Sequence, residues 1–433
     1  MSINIPSSSL PRVVIAGGGF GGLKLAQELD SSRFQIVLID QNNYHQFPPL
    51  IYQVASSGLE PSSIAFPFRS AFRRKGNFLF RLASVEAVDA EQKQLLTSVG
   101  PVSYDYLVLA CGGTTNFFGK EQVARHALPM KTLYESINLR NILLQHIEQA
   151  LVADHPEEQA ALQRVIIVGG GPSGVEIAGA LAEMKRYVLP KDYPGLDIDA
   201  FEIHLVDAAP RLLGAMSEKS SKAAARGLRS LGVELHFGKM VTDYDGLTLS
   251  FADGEAMRSR TVIWVSGITA NEVAGLSAET LGRGRRILVD AHSEVLGYPD
   301  IFALGDQSLM TTDPNYPQGH PQLAQVALQQ AKLLASNLKA RLDGRPQRPF
   351  AYRDLGSMAT IGRNKAVAEI GRMKWGGFSA WLLWLVGHLR SILSVRNKII
   401  VLLNWVWNYI TYDRSLRLIL KRNIPVEPRD LHS

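Results

Sequence analysis

The 433-residue sequence holds a single cysteine, Cys111. That excludes an intramolecular disulfide, a CxxC redox pair and a zinc site built on thiolates. It also fits a reducing compartment. The ten histidines show no HExxH-type spacing, so they are expected on the surface or in packing, and no metal site is expected. Also missing is any Ser/His/Asp or Cys/His constellation for nucleophilic catalysis. The segment Met1–Arg12 is short and polar, without the apolar run of a secretory signal or the Arg-rich character of a transit peptide.

Net charge is small over most of the chain. The net +6 comes from 46 Lys+Arg against 40 Asp+Glu. Residues 372–422 carry nine basic residues (Arg372, Lys374, Arg390, Arg396, Lys398, Arg414, Arg417, Lys421, Arg422) and only Asp413 as an acid. This segment is therefore +8 and the remaining 382 residues are −2. Five of the six tryptophans (Trp375, Trp381, Trp384, Trp405, Trp407) lie in it too.

A membrane-spanning helix needs about 20 mostly apolar residues. The apolar runs here, Trp375–Gly387 and Ile399–Tyr412, have 13 and 14 residues and are separated by Arg390, Arg396 and Lys398. Spanning is not expected. Within Leu382–Lys398, helical spacing puts Leu382, Leu385, Val386, Leu389 and Leu393 on one face. The opposite face collects Gly387, Arg390, Ser391, Ser394, Asn397 and Lys398. A basic amphipathic helix with tryptophan at headgroup level suits an anionic lipid surface. The alternative is a helix pair packed on its own domain or on a second subunit, as in a homodimer. The segment is too apolar for a nucleic-acid stripe.

A duplicated pattern organises the first 300 residues. Val13–Ala16 reads as a buried strand, followed by the loop Gly17-Gly18-Gly19-Phe20-Gly21-Gly22 and a helix over Leu23–Leu29. Val165–Val168, Gly169-Gly170-Gly171-Pro172-Ser173-Gly174 and Val175–Glu183 repeat it 152 residues later. Both loops fit GxGxxG, whose glycines permit a tight turn, close approach of a pyrophosphate and tight helix–strand packing. The uncapped helix start then faces the phosphates. A second strand follows each loop: Phe34–Ile39 ends at Asp40, 18 residues after Gly22, and Phe201–Val206 ends at Asp207. Each acid is placed to accept hydrogen bonds from a ribose. Asp207 comes late, which fits an inserted loop over Lys185–Asp199. An acid there favours NADH over NADPH, with Arg211 as the counter-indication.

Two dinucleotide sites imply a held flavin in the first and a visiting nicotinamide in the second. Tyr104–Ala110 reads as a strand running into Cys111-Gly112-Gly113, a close approach of backbone to cofactor. Asp300–Leu304 reads as a strand ending in Gly305-Asp306, whose acid can bond a ribityl chain.

With these residues in hand, the chain resembles the type II NADH dehydrogenases, single-subunit, non-pumping NADH:quinone oxidoreductases of the two-dinucleotide flavoprotein superfamily. The likeness covers nearly the whole chain. Its most specific parts are Asn43–Ala55 (NYHQFPPLIYQVA), Ala324–Gln329 (AQVALQ) and Arg396-Asn397 through Tyr412-Asp413-Arg414. The resemblance implies an α/β fold: two Rossmann-like dinucleotide-binding domains plus a C-terminal amphipathic helical membrane-anchoring region. The expected divisions are 1–125 and 295–345 for the FAD-binding domain, 126–294 for the NADH-binding domain, and 346–433 for membrane association.

By the same resemblance FAD lies on Gly17, Gly19, Gly22 and Asp40, closed by Asp306; Cys111 and Gly112, at the close backbone approach, are further cofactor-binding candidates. NADH lies on Gly169, Gly171, Gly174 and Asp207. Glu176 matches an acid that the family places near the nicotinamide and quinone region, and Gln325 and Gln329 match its AQxxxQ segment, where quinone approaches. Lys374 is a weaker candidate. Cys111 stands where relatives often have threonine. Against these roles, Gln325 and Gln329 can simply bond neighbouring carbonyls, and Glu176 can be a structural ion-pair partner. Tyr44, His45 and Tyr52 read as packing or loop-positioning residues.

The implied reaction passes hydride from NADH to FAD and two electrons to a membrane quinone, on the cytoplasmic face where NADH is supplied. Disulfide reductases and sulfide:quinone reductases work through cysteines that this chain lacks. A soluble flavoprotein reductase of another acceptor, or an NADH-sensing flavoprotein acting through a partner, are the remaining alternatives.

Overall fold

The computed structural model describes residues 3–411 and 416–420. Its chain forms two compact units: Met1–Gln46, Ala65–Thr114 and Ile268–Asp354 in the first, Phe47–Ile64, Thr115–Gly267 and Leu355 onward in the second. These borders differ from the expected ones at 125, 294 and 345. The chain returns to the first unit as early as Ile268, because the strand Ile268–Ala270 pairs with Gly113–Thr115.

The first unit is built on a five-stranded parallel sheet in the order Ile301–Ala303, Tyr106–Leu109, Arg12–Ala16, Gln35–Asp40, Phe78–Leu82. Val13 to Ala16 and Ile36 to Ile39 are fully buried, as expected of parallel strands covered on both faces. The helix Phe20–Glu28 follows the first strand and packs on Ala324–Leu342. It starts three residues earlier than expected, because Phe20, Gly21 and Gly22 are its first turn.

The second unit repeats the design with strands in the order Leu128–Pro129, Thr261–Trp264, Arg164–Val168, Glu202–Asp207, Val233–Phe237, all parallel. Its glycine loop opens the helix Pro172–Tyr187, with proline at the first position, where no N–H is needed. That helix runs on to Tyr187, and Leu189–Asp192 forms a further helical turn. The insertion expected as a loop over Lys185–Asp199 is therefore partly helical.

The region 346–433 is not purely helical either. Ser357–Gly362, Lys365–Ile370 and Met373–Gly377 form an antiparallel sheet before the helices Phe378–Ser391 and Val395–Thr411. Trp375 and Lys374 thus belong to a strand. The single amphipathic helix expected over Leu382–Lys398 is broken: Ile392 turns extended (φ −63°, ψ 137°) and Ser394 is left-handed (φ 78°). Asn397, placed on its solvated face, is instead buried and donates to the Ser62 carbonyl at 3.4 Å. Among the described residues, no helix is long and apolar enough to cross a membrane. Asp413, Arg414, Lys421 and Arg422 lie outside the described residues, as does the Tyr412-Asp413-Arg414 end of the family-like segment.

Candidate functional site

The two glycine loops are near copies in atomic detail. A Cβ on Gly22 would stand 1.8 Å from the Gly17 carbonyl oxygen, and one on Gly174 1.8 Å from that of Gly169. These third glycines are there for packing. At Gly19 and Gly171, which precede the two helices, an added Cβ would meet nothing within 4 Å. Neither helix start carries a side-chain cap. Open space in front of free N–H groups at a positive dipole end is what a pyrophosphate requires, so the residues fit the dinucleotides expected of them.

The acid of each following strand closes its loop. Asp40 accepts from Gly18 N–H at 2.6 Å and from Asn42 N–H at 2.7 Å. Burial raises its pKa, opposed by these two N–H bonds. Asp207 accepts from Gly170 N–H and, at 2.7 Å, from Ala209 N–H. Arg211, the counter-indication to NADH, directs its guanidinium to the carbonyls of Met216 and Gly214, at 2.8 and 2.7 Å. His45 donates from Nδ1 to the Gly18 carbonyl at 3.0 Å and meets Phe20 edge-on. It is a loop-positioning residue.

Elsewhere in the first unit, Gly112 takes a left-handed conformation (φ 69°) with open space at its Cβ position. The Cys111 N–H donates to Gln307 Oε1 at 2.9 Å, and its Sγ lies 3.4 Å from the Ala16 carbonyl. Burial pushes this thiol up to about 12. Asp306 sits in the single helical turn Gly305–Gln307 and is half-buried. Gln330, which sequence reasoning passed over, holds that turn: its Oε1 accepts from the Gly305 N–H at 2.7 Å.

Gln325 and Gln329 point the same way on their helix. Gln325 Nε2 lies 3.4 Å from Asp354 Oδ1. Gln329 clasps the Arg353 backbone, donating to its carbonyl at 2.9 Å and accepting from its N–H at 3.1 Å. That geometry matches the alternative weighed for Gln329, bonding to nearby backbone.

Glu176 lies in the second unit, on the helix after the second glycine loop, and among the described residues it has no ion-pair partner. Its Oε1 accepts from Thr360 N–H at 3.4 Å and Trp384 Nε1 at 3.2 Å. Burial outweighs these two bonds and raises its pKa to about 8, so the carboxyl is mainly neutral at pH 7. Gly179, one turn on, brings Thr360 within reach: a Cβ there would stand 1.9 Å from the Ile361 carbonyl oxygen. The next turn contributes Glu183, which accepts from Arg363 N–H. The spacing 176, 179, 183 marks one helix face, a signal present in the sequence but unread.

Of the tryptophans expected at headgroup level, Trp384 is buried against Glu176, while Trp375, Trp381 and Trp405 are half-buried. Trp384 is 1% exposed, with its ring stacked on His388 at 4.2 Å and edge-on to Tyr52 at 6.4 Å. Trp405 Nε1 donates to Gln53 Oε1 at 2.8 Å, and Trp381 packs on Tyr409. Of the five, Trp407 stays open, beside exposed Leu402, Leu403, Val406 and Ile410. On the preceding helix Leu382, Leu383 and Val386 are exposed. Lys374 is exposed and pairs across the sheet with Glu369.

Comparison with known proteins places these features in a family. The model of the pyridine nucleotide-disulphide oxidoreductase family matches residues 11–331, and that of the NDH2 C-terminal domain matches residues 355–412. The type II NADH:quinone oxidoreductase Ndh of Mycobacterium tuberculosis is 37% identical over 419 residues, 93% of this chain and 89% of that protein. NdhA of the same organism is 35% identical over 95% of this chain and 90% of its own. The NDH2 of Plasmodium falciparum, solved in complex with NADH, superposes with a TM-score of 0.85 over 95% of this chain and all of its own, at 20% identity. That likeness shows the fold.

Proposed function

This chain belongs to the pyridine nucleotide-disulphide oxidoreductases and, within them, to the type II NADH:quinone oxidoreductases, and from that premise we propose which of its residues carry the reaction. The enzyme is a non-proton-pumping NADH:quinone oxidoreductase with FAD and NADH as its dinucleotides. The observation that carries the reading is the pair of glycine loops, each closed by the acid of the following strand, in a chain that matches such an enzyme over 93% of its length.

FAD, when bound by these residues, would supply the two-electron redox chemistry that links NADH to quinone. The chain's own contribution is placement and protons. Gly17, Gly19, Gly22, Asp40, Cys111, Gly112 and Asp306 hold the flavin nucleotide. Gly169, Gly171, Gly174 and Asp207 hold NADH, with the 207 carboxylate selecting the unphosphorylated ribose. Quinone reduction consumes two protons, and Glu176, neutral at pH 7, is a proton donor for it. In the first unit, Gln325 and Gln329 hold the Arg353–Asp354 segment, and their assignment to quinone binding rests on the AQxxxQ resemblance alone.

The exposed apolar helix faces at Leu382–Val386 and Leu402–Ile410 lie near exposed Arg390 and Arg396. Basic and apolar groups together favour an anionic lipid surface over a second copy of the chain. NADH supply puts that surface on the cytoplasmic side.

The test is NADH oxidation by the FAD-loaded protein with and without a soluble short-chain quinone. Rapid quinone-dependent turnover is expected. Flavin reduction by NADH without turnover on quinone would instead favour the NADH-sensing alternative.

A further inference from the structure

Three ligand-bearing side chains converge on one face of the second unit's parallel sheet. His204 stands on the strand Glu202–Asp207, and Glu234 and His236 on its edge neighbour Val233–Phe237. The register sets His204 opposite Glu234 and Val206 opposite His236, and the two-residue period of strands turns all three side chains the same way.

Their atoms are spaced for one ion. His204 Nδ1 lies 3.1 Å from His236 Nε2 and 3.4 Å from Glu234 Oε2, and the third edge, His236 Nε2 to Glu234 Oε2, is 3.9 Å. A tetrahedral ion with bonds of about 2.0–2.1 Å has ligand–ligand edges of about 3.3–3.4 Å, inside the range these edges span.

The far nitrogen of His204 is also arranged for ligation. Nε2 faces Glu202 Oε2 at 3.2 Å, and Arg164 Nε holds that same oxygen at 2.5 Å. A carboxylate on one imidazole nitrogen keeps the proton there and turns the other lone pair toward a metal. Access is graded: the His204 side chain is 6% exposed, His236 30% and Glu234 59%, so an ion enters from the solvent edge and the fourth position stays open to water.

We propose that His204 Nδ1, His236 Nε2 and Glu234 Oε2 bind a divalent transition cation of zinc's class, a site separate from the nucleotide loops. Two imidazoles and one carboxylate select zinc, copper or nickel over magnesium or calcium. Binding replaces the direct His204 Nδ1–His236 Nε2 contact and ties the edge strand to the strand that ends in Asp207.

The experiment uses the FAD-loaded full chain, freed of metal with a chelator and titrated with zinc sulfate against a chromophoric zinc chelator. One zinc per chain is expected, with a melting temperature that rises with zinc. His236→Ala and Glu234→Gln, both at solvent-facing positions, should each weaken binding at least tenfold and remove the thermal shift. Glu202→Gln should weaken it about 10–100-fold, the range for a carboxylate behind a ligating histidine. No stoichiometric binding by the wild-type chain, or equal affinity in the His236→Ala and Glu234→Gln variants, overturns the proposal.

Discussion

Across 208 positions of sequence, the indole Nε1 of Trp384 donates to Oε1 of Glu176 at 3.2 Å, and both groups are buried. Both hydrogen bonds to the carboxyl fall on Oε1, so Oε2 carries the proton of the neutral acid. Quinone turnover in the wild-type enzyme should therefore decline as pH passes about 8. In Glu176→Gln that limb should vanish, and kcat at pH 7 should fall by about 10²-fold or more if the carboxyl is the proton donor. Trp384→Phe removes a donor that favours the ionised form, so it should move the limb to higher pH. A Glu176→Gln enzyme with unchanged turnover refutes the relay role.

The same carboxyl makes stability depend on pH. Its native pKa of about 8 lies above the ordinary value of 4.5. Below pH 4.5 both native and unfolded chains hold the proton and the group contributes no difference. Between about 4.5 and 8 the unfolded chain has released the proton and the native chain has not, so stability falls with rising pH by about 1.4 kcal/mol per unit from this group. Denaturant melts of wild type and Glu176→Gln at pH 6 and pH 9 should show the wild type losing more than the variant. Parallel losses would mean that Glu176 ionises normally.

The two classes of loop glycine separate folding from binding. Gly171 has φ −72° and ψ −176°, which alanine adopts without strain, and its Cβ would enter open space. Gly171→Ala should fold with a near-native melting temperature and raise KM for NADH at least tenfold, or about 1.4 kcal/mol. Gly174→Ala, which drives a methyl group to 1.8 Å from the Gly169 carbonyl oxygen, should fail to fold or lose most of its stability. If both variants behave alike, the open space before the helix is not the phosphate cradle.

Both nucleotide loops were legible because their chemistry is local: a buried strand, a glycine run, a helix start and an acid at the next strand's end. Partners distant in sequence were not. Nothing near Trp384 in the chain announces that Glu176 will take its N–H, and a tryptophan in a basic, apolar tail looks like a membrane anchor until the fold buries it. The Gln330 bond to Gly305 was hidden because neighbouring Gln325 and Gln329 carried the family pattern. The His204, Glu234 and His236 group depends on strand register, which places residues about 30 positions apart side by side without any spacing motif.

Cys111 offers a simple check on the first unit. Its thiol, pushed up to about 12 by burial, stays protonated at neutral pH and is a poor nucleophile. Cys111→Thr, a small side chain with a hydroxyl to bond the Ala16 carbonyl, should keep FAD content and NADH oxidation within about twofold, or about 0.4 kcal/mol. Iodoacetamide at pH 7 should leave the wild-type rate unchanged. Rapid inactivation would show a thiol more exposed and more acidic than its surroundings allow.

Membrane attachment is best tested by point substitutions, because removing residues 372–433 would also remove buried Ala380, Trp384 and Val401 and expose the carboxyl that Trp384 covers. Leaving so large a cavity is costly: truncating a buried tryptophan alone costs about 3–5 kcal/mol. Leu403 and Ile410, 62% and 71% exposed, lie on the outer face of the last described helix. Leu403→Glu with Ile410→Glu should leave NADH oxidation with a soluble quinone intact and abolish sedimentation with anionic phospholipid vesicles. Wild-type binding should weaken in high salt without vanishing, since salt screens Arg390 and Arg396 but not apolar insertion. A double variant that still sediments like wild type would assign these helix faces to a protein partner, with a second copy of the chain as the first to test by its mass in solution.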